Sequence, residues 1–100
     1  MDKPNALSKE EIETGLKDLP GWTYENNKIS KRYKFNDFMD SLSFVNALAS
    51  YCEEMDHHPD IHISYSKITF ELQRFDIGGK VTDRDLFVAH EIERRYNERT

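Results

Sequence analysis

The hundred residues predict an α+β domain in which a four-stranded antiparallel sheet carries three helices on one face, in the order α-β-β-α-β-β-α. Three observations carry that expectation. Ser8 with Glu11, and Thr82 with Asp85, form capping-box patterns that open helices, and between them the stretch from Phe38 to Met55 repeats apolar residues at helical spacing. Two further stretches, 22–35 and 60–74, are rich in β-branched and aromatic residues and are each broken by a turn, as hairpins are. A chain of 100 residues with 37% hydrophobic content fills one compact domain, so 1–100 reads as a single unit.

Each element has its own local reason. Ser8 caps the first helix, Leu7 and Ile12 can staple its start, and Leu19-Pro20-Gly21 ends it after about Lys17. Trp22-Thr23-Tyr24-Glu25 begins a strand that turns through Asn26-Asn27, a pair tolerant of positive φ, into Lys28 to Phe35. Ile29, Tyr33 and Phe35 share a face of that second strand, which Lys31 interrupts. Asn36 or Asp37 caps the long helix. On it Phe38, Leu42, Val45, Ala49 and Cys52 form one stripe, and Phe44, Leu48, Tyr51 and Met55 an adjoining one. The combined arc is wider than one sheet contact needs, so a further helix or subunit is expected against it.

The second hairpin pairs Asp60 to Tyr65 with Ile68 to Arg74. A turn at Ser66-Lys67 sets Tyr65 opposite Ile68, Ile63 opposite Phe70 and Ile61 opposite Leu72, and brings His58 across from Phe75. After the Gly78-Gly79 loop, Thr82 caps a final helix whose buried stripe is Val88, Ala89, Ile92 and Tyr96. Asp85 falls within that stripe's angular range and faces inward.

A net charge of −5 argues against direct binding of nucleic acid, since phosphate recognition needs a basic surface. The single cysteine, Cys52, excludes an internal disulfide framework and reads as a buried thiol. No signal-peptide core and no apolar run of about 18 residues is present, so no membrane contact and a cytoplasmic location are expected.

The chemistry gathers at Glu53-Glu54-Met55-Asp56-His57-His58-Pro59-Asp60, where the long helix meets a strand. Histidine both gives and takes a proton near neutral pH, and Pro59 stops the helix and biases His58 to an extended conformation. The corner is a candidate acid/base centre. A structural role at a helix end is the bland alternative for the pair, as helix capping is for Asp85 and a solvated helix face for Glu53. His62 fits a cross-strand pair with Glu71 better than a metal site, for which no compact ligand set emerges. His90 points away from the last helix's apolar stripe.

Glu53, His57-His58-Pro59, Tyr65 and Asp85 together resemble the signature of the pterin-4a-carbinolamine dehydratases, also known as dimerisation cofactors of a homeodomain transcription factor. Asp60-Ile61, Gly78-Gly79 and the opening from Thr82 to Asp85 extend the likeness over nearly the whole chain. Two departures stand out: Phe75 occupies the position of the family's third histidine, sometimes a tryptophan, and Lys80 makes the following loop one residue longer.

The resemblance implies a lyase: 4a-hydroxytetrahydropterin (4a-hydroxytetrahydrobiopterin) loses water to give quinonoid dihydropterin, in support of pterin cofactor recycling, without metal or organic cofactor. It implies His57 and the family's third histidine as acid and base, with His58 contributing mainly to binding and placement, so that His57 and His58 are the catalytic residues left here, with Glu53, Asp60, Phe75 and Asp85 around the substrate, and a homodimer or homotetramer. His57 then works with water or a carboxylate, and Phe75 offers the pterin an apolar wall, at reduced activity. The alternative is a non-catalytic oligomerising or binding module with a degenerate pterin pocket.

Overall fold

The computed structural model describes residues 6–73 and 80–99. Helix α1 (Lys9–Leu16) starts with a closed capping box: Ser8 Oγ accepts from the Glu11 amide at 3.1 Å while the Glu11 carboxylate accepts from the Ser8 amide at 2.9 Å. Strands β1 (Thr23–Glu25) and β2 (Lys28–Lys34) turn through Asn26 and Asn27 at φ 54° and 63°, the left-handed region that asparagine tolerates. Of the two candidate caps for α2 (Phe38–Met55), Asp37 serves, accepting from the Asp40 amide at 2.8 Å. Strands β3 (Asp60–Ser64) and β4 (Lys67–Leu72) and helix α3 (Asp83–Asn97) complete the predicted order.

The strands lie in the order β1-β2-β4-β3, all antiparallel. Ile29, Tyr33, Ile68, Phe70 and Leu72 project from one side of the sheet into a core shared with Ile12 of α1, Phe44 and Leu48 of α2, and Val88 and Ile92 of α3. All three helices therefore cover one face.

Lys31 points to that same side, and the fold accommodates its charge. Its Nζ donates to the Glu93 carboxylate at 2.8 Å and to the Pro20 carbonyl at 2.7 Å, and lies 4.7 Å from the centre of the Tyr33 ring. The Tyr33 hydroxyl donates to Glu93 and accepts from Trp22 Nε1 at 3.0 Å. Burial pushes the Tyr33 hydroxyl's pKa up, well beyond its ordinary range. Burial also raises that of Glu93, but hydrogen bonds from Lys31 and Tyr33 outweigh it and hold the carboxyl below its ordinary value.

The second hairpin corrects the predicted register by two residues. Ile63 faces Ile68, Ile61 faces Phe70, and the turn is at Tyr65-Ser66. A shift of two keeps every side chain on its predicted face. Its cause is Tyr65, which takes φ 56° although it is neither glycine nor asparagine. Tertiary bonds hold that turn: Ser41 Oγ donates to the Tyr65 carbonyl at 3.1 Å, and the Phe35 amide to the Ser66 carbonyl at 2.7 Å. The ladder begins at Asp60 opposite Glu71 and stops short of His58, and its continuation leads toward Gln73. Phe75 and Gly78-Gly79 lie outside the described residues.

Only part of the wide apolar arc of α2 is used. Phe44, Leu48 and Cys52 are buried with Ser41; Leu42, Val45, Tyr51 and Met55 are half-buried; and Ala49 and Phe38 remain exposed, Phe38 at 44%.

Candidate active site

The site begins where α2 ends. Asp56 adopts the left-handed conformation, φ 49° and ψ 44°, which a short polar side chain tolerates better than most. The Asp56 amide returns to the Glu53 carbonyl at 3.2 Å and the His57 amide to the Cys52 carbonyl at 3.1 Å, satisfying carbonyls that the helix leaves open. Beyond this reversal the two histidines part: His57 is buried and His58 is exposed.

His57 Nε2 is hydrogen-bonded to Oδ1 of Asp85, in the first turn of α3. The other carboxylate oxygen accepts from the Thr82 amide at 2.7 Å and the Thr82 hydroxyl at 3.2 Å. Asp85 is thus both capping-box partner and histidine partner. Surrounded by donors, its carboxylate acts as acceptor, which places a hydrogen on His57 Nε2.

Two further contacts hold the two helix ends together. Arg84 Nη1 donates to the Met55 carbonyl at 3.2 Å, bringing a cation to the C-terminus of a helix whose own last turn has none. The Leu7 amide donates to the Val81 carbonyl at 2.9 Å, and Ala6 bridges Thr82, so the N-terminal segment braces the entry to α3.

His58 Nε2 lies 2.9 Å from the Glu53 carboxylate, on the solvent side. Both residues border a cleft of about 160 Å³ whose walls include Val45, Leu48, Pro59 and Ile61. Cys52 also lines it, and burial pushes its thiol's pKa up, as in an inert core cysteine.

The predicted site residues therefore fall into two pairs, His57 with Asp85 and His58 with Glu53. Asp60 joins neither: it is half-buried at the start of β3, opposite Glu71. His62 Nε2 sits 3.2 Å from Glu71, as expected, although the shifted register makes the pair diagonal. His90 is exposed. Among the described residues no cluster of three potential metal ligands exists, and no helix is long and apolar enough to cross a membrane. Sequence reasoning missed Arg84, whose only local sign is a cation in a helix's first turn, where the dipole disfavours it.

The family model described as Pterin 4 alpha carbinolamine dehydratase matches residues 5–95. A protein of Sulfolobus acidocaldarius, provisionally named a pterin-4-alpha-carbinolamine dehydratase, is 41% identical over 86 residues, covering 86% of this chain and 93% of its own. One of Picosynechococcus sp. with the same provisional name is 43% identical over 83 residues, covering 83% and 89%. Among solved structures, a transcriptional coactivator/pterin dehydratase from Brucella melitensis aligns with a TM-score of 0.84 at 28% identity, over 90% of this chain and 97% of that one. A pterin dehydratase-like protein identified as a RuBisCO assembly factor in the alpha-carboxysome shares the fold, with a TM-score of 0.57 at 20% identity over 73% and 83% of the two chains. Matched along nearly its whole length, and carrying the His57-His58-Pro59 corner with Asp85 folded against it, the chain belongs to the pterin-4a-carbinolamine dehydratase family.

Proposed function

We propose that the protein dehydrates 4a-hydroxytetrahydropterin to quinonoid dihydropterin and water, with His57 and His58 as its acid/base couple and no cofactor. The observation that supports this reading is the buried His57–Asp85 pair one residue away from the solvent-facing His58–Glu53 pair. In this reading His57 Nδ1 takes the proton from N5 while Asp85 stabilises the imidazolium. Protonated His58, steadied by Glu53, delivers a proton to the 4a-hydroxyl, which leaves as water. The C4a–O bond breaks, the N5 electron pair forms the new double bond, and solvent returns each histidine to its starting state. His58 thereby supplies the second proton-transfer group in a chain whose Phe75 replaces the family's third histidine. Asp60 and Phe75 border the substrate, as a polar contact and an apolar wall.

The unused part of the α2 arc supports a homodimer or homotetramer. The same surface favours the second reading, an oligomerising or binding module whose pterin pocket has decayed. The test is the dehydration rate of freshly generated 4a-hydroxytetrahydropterin with the protein, with its His57→Ala variant and with buffer. Acceleration that vanishes in the variant supports the enzyme; a rate equal to buffer sinks it in favour of the module.

A further inference from the structure

The sheet face that the helices leave open carries an uneven charge. Arg32 and Lys34 alternate with buried Tyr33 along β2, and Lys67 and Thr69 with buried Ile68 and Phe70 along β4, so these polar residues share the open side. The register sets them in two rows. Lys34 stands opposite Lys67, which stands opposite Ser64; in the next row Arg32 stands opposite Thr69, which stands opposite His62. With strands about 4.8 Å apart and alternate residues roughly 6.7 Å apart, the three cations crowd one small area.

Arg32, Lys34 and Lys67 are exposed, and among the described residues none makes an ion pair. Lys28, Lys31, Arg94, Arg95 and Arg99, by contrast, each meet a carboxylate. Like charges directly across a sheet destabilise it. A chain with 19 acidic against 14 basic residues has carboxylates to spare, yet none is set beside these three. Past the second row the sign reverses, with Glu71 opposite Asp60.

We propose that this two-row patch docks a short acidic segment of a partner protein. A sheet face is flat, whereas small ligands are held in concave sites. The hydroxyls of Ser64 and Thr69 add donors that suit carboxylates. A nucleic-acid strand fits less well, because its phosphates continue beyond the cations onto Glu71 and Asp60, while a brief run of carboxylates ends where the cations end.

The test measures fluorescence anisotropy of labelled hexaglutamate with the full chain at low salt, with hexalysine and a short oligothymidylate as comparison probes. The patch variant is Arg32→Gln/Lys34→Gln/Lys67→Gln. A control of equal charge change, Lys9→Gln/Lys17→Gln/Arg94→Gln, lies away from the open sheet face and leaves the patch intact. The expected result is hexaglutamate binding weakened at least tenfold in the patch variant and less than threefold in the control. The patch variant should melt no lower than the parent, since it relieves like-charge repulsion. No hexaglutamate binding, equal weakening in both variants, or tighter binding of oligothymidylate than of hexaglutamate each overturns the proposal.

Discussion

His57 and His58 are neighbours in the chain, each beside a carboxylate, but they differ in what surrounds them. The side chains of His57 and Asp85 are 1% and 0% exposed, whereas those of His58 and Glu53 are 56% and 76% exposed. A buried pair is poorly screened, and deleting one partner strands the other in a medium that solvates it badly. An exposed pair exchanges with water and contributes little to stability. One residue of chain thus separates a histidine on which the fold depends from one that the fold can lose. The device that separates them is the left-handed Asp56, which turns one ring inward and the next outward.

Replacing members of the two pairs should widen or collapse that contrast. Asp85→Ala is expected to be the most damaging change: it strands His57 and opens the cap of α3, and should cost roughly 3–5 kcal/mol in urea unfolding. His57→Ala should lower the dehydration rate by about 10² to 10⁴ and also destabilise the fold. His58→Ala should lower the rate by about 10² while unfolding stays within about 0.5 kcal/mol of the parent. Equal destabilisation by the two alanine variants would erase the contrast. Glu53→Gln should reduce the rate less than tenfold, since it removes only a solvent-facing partner of His58.

The smallest effect concerns partly exposed ion pairs in acid. Lys28 holds the Glu71 carboxyl below its ordinary value, and Arg94 does the same for Glu91. A carboxyl whose folded-state pKa is depressed stabilises the fold above its unfolded value, and that contribution is lost as pH falls through the folded one. In acid unfolding followed by circular dichroism, Lys28→Gln should therefore narrow the stability gap between neutral and acidic pH by a few tenths of a kcal/mol.

What could be read from the sequence followed the range of the forces. Both capping boxes, the Asn26-Asn27 turn and the inward Asp85 depend on contacts within a few residues, and local pattern reveals them. The turn at Tyr65 depends on Ser41, 24 residues away, so local pattern points to a register two residues off. Lys31 was visible as an anomaly on an apolar face, but its partner Glu93 lies 62 residues later and only the fold brings it near. The same holds at the site. The sequence marks both histidines and both carboxylates, whereas the tie from Arg84 to the end of α2 spans 29 residues and leaves no local pattern.

The bond between His57 and Asp85 joins residues 28 apart, with the entire β3–β4 hairpin between them. Helices and hairpins form in microseconds from neighbouring residues, while closing a longer loop costs more chain entropy. Folding the hairpin first draws the ends of that segment together and shortens the span still to be closed. On that order, the bond that orients His57 closes after the hairpin rather than before it. A chain with both hairpins formed and α3 still undocked would already contain His57 and His58, with no imidazole yet fixed by Asp85.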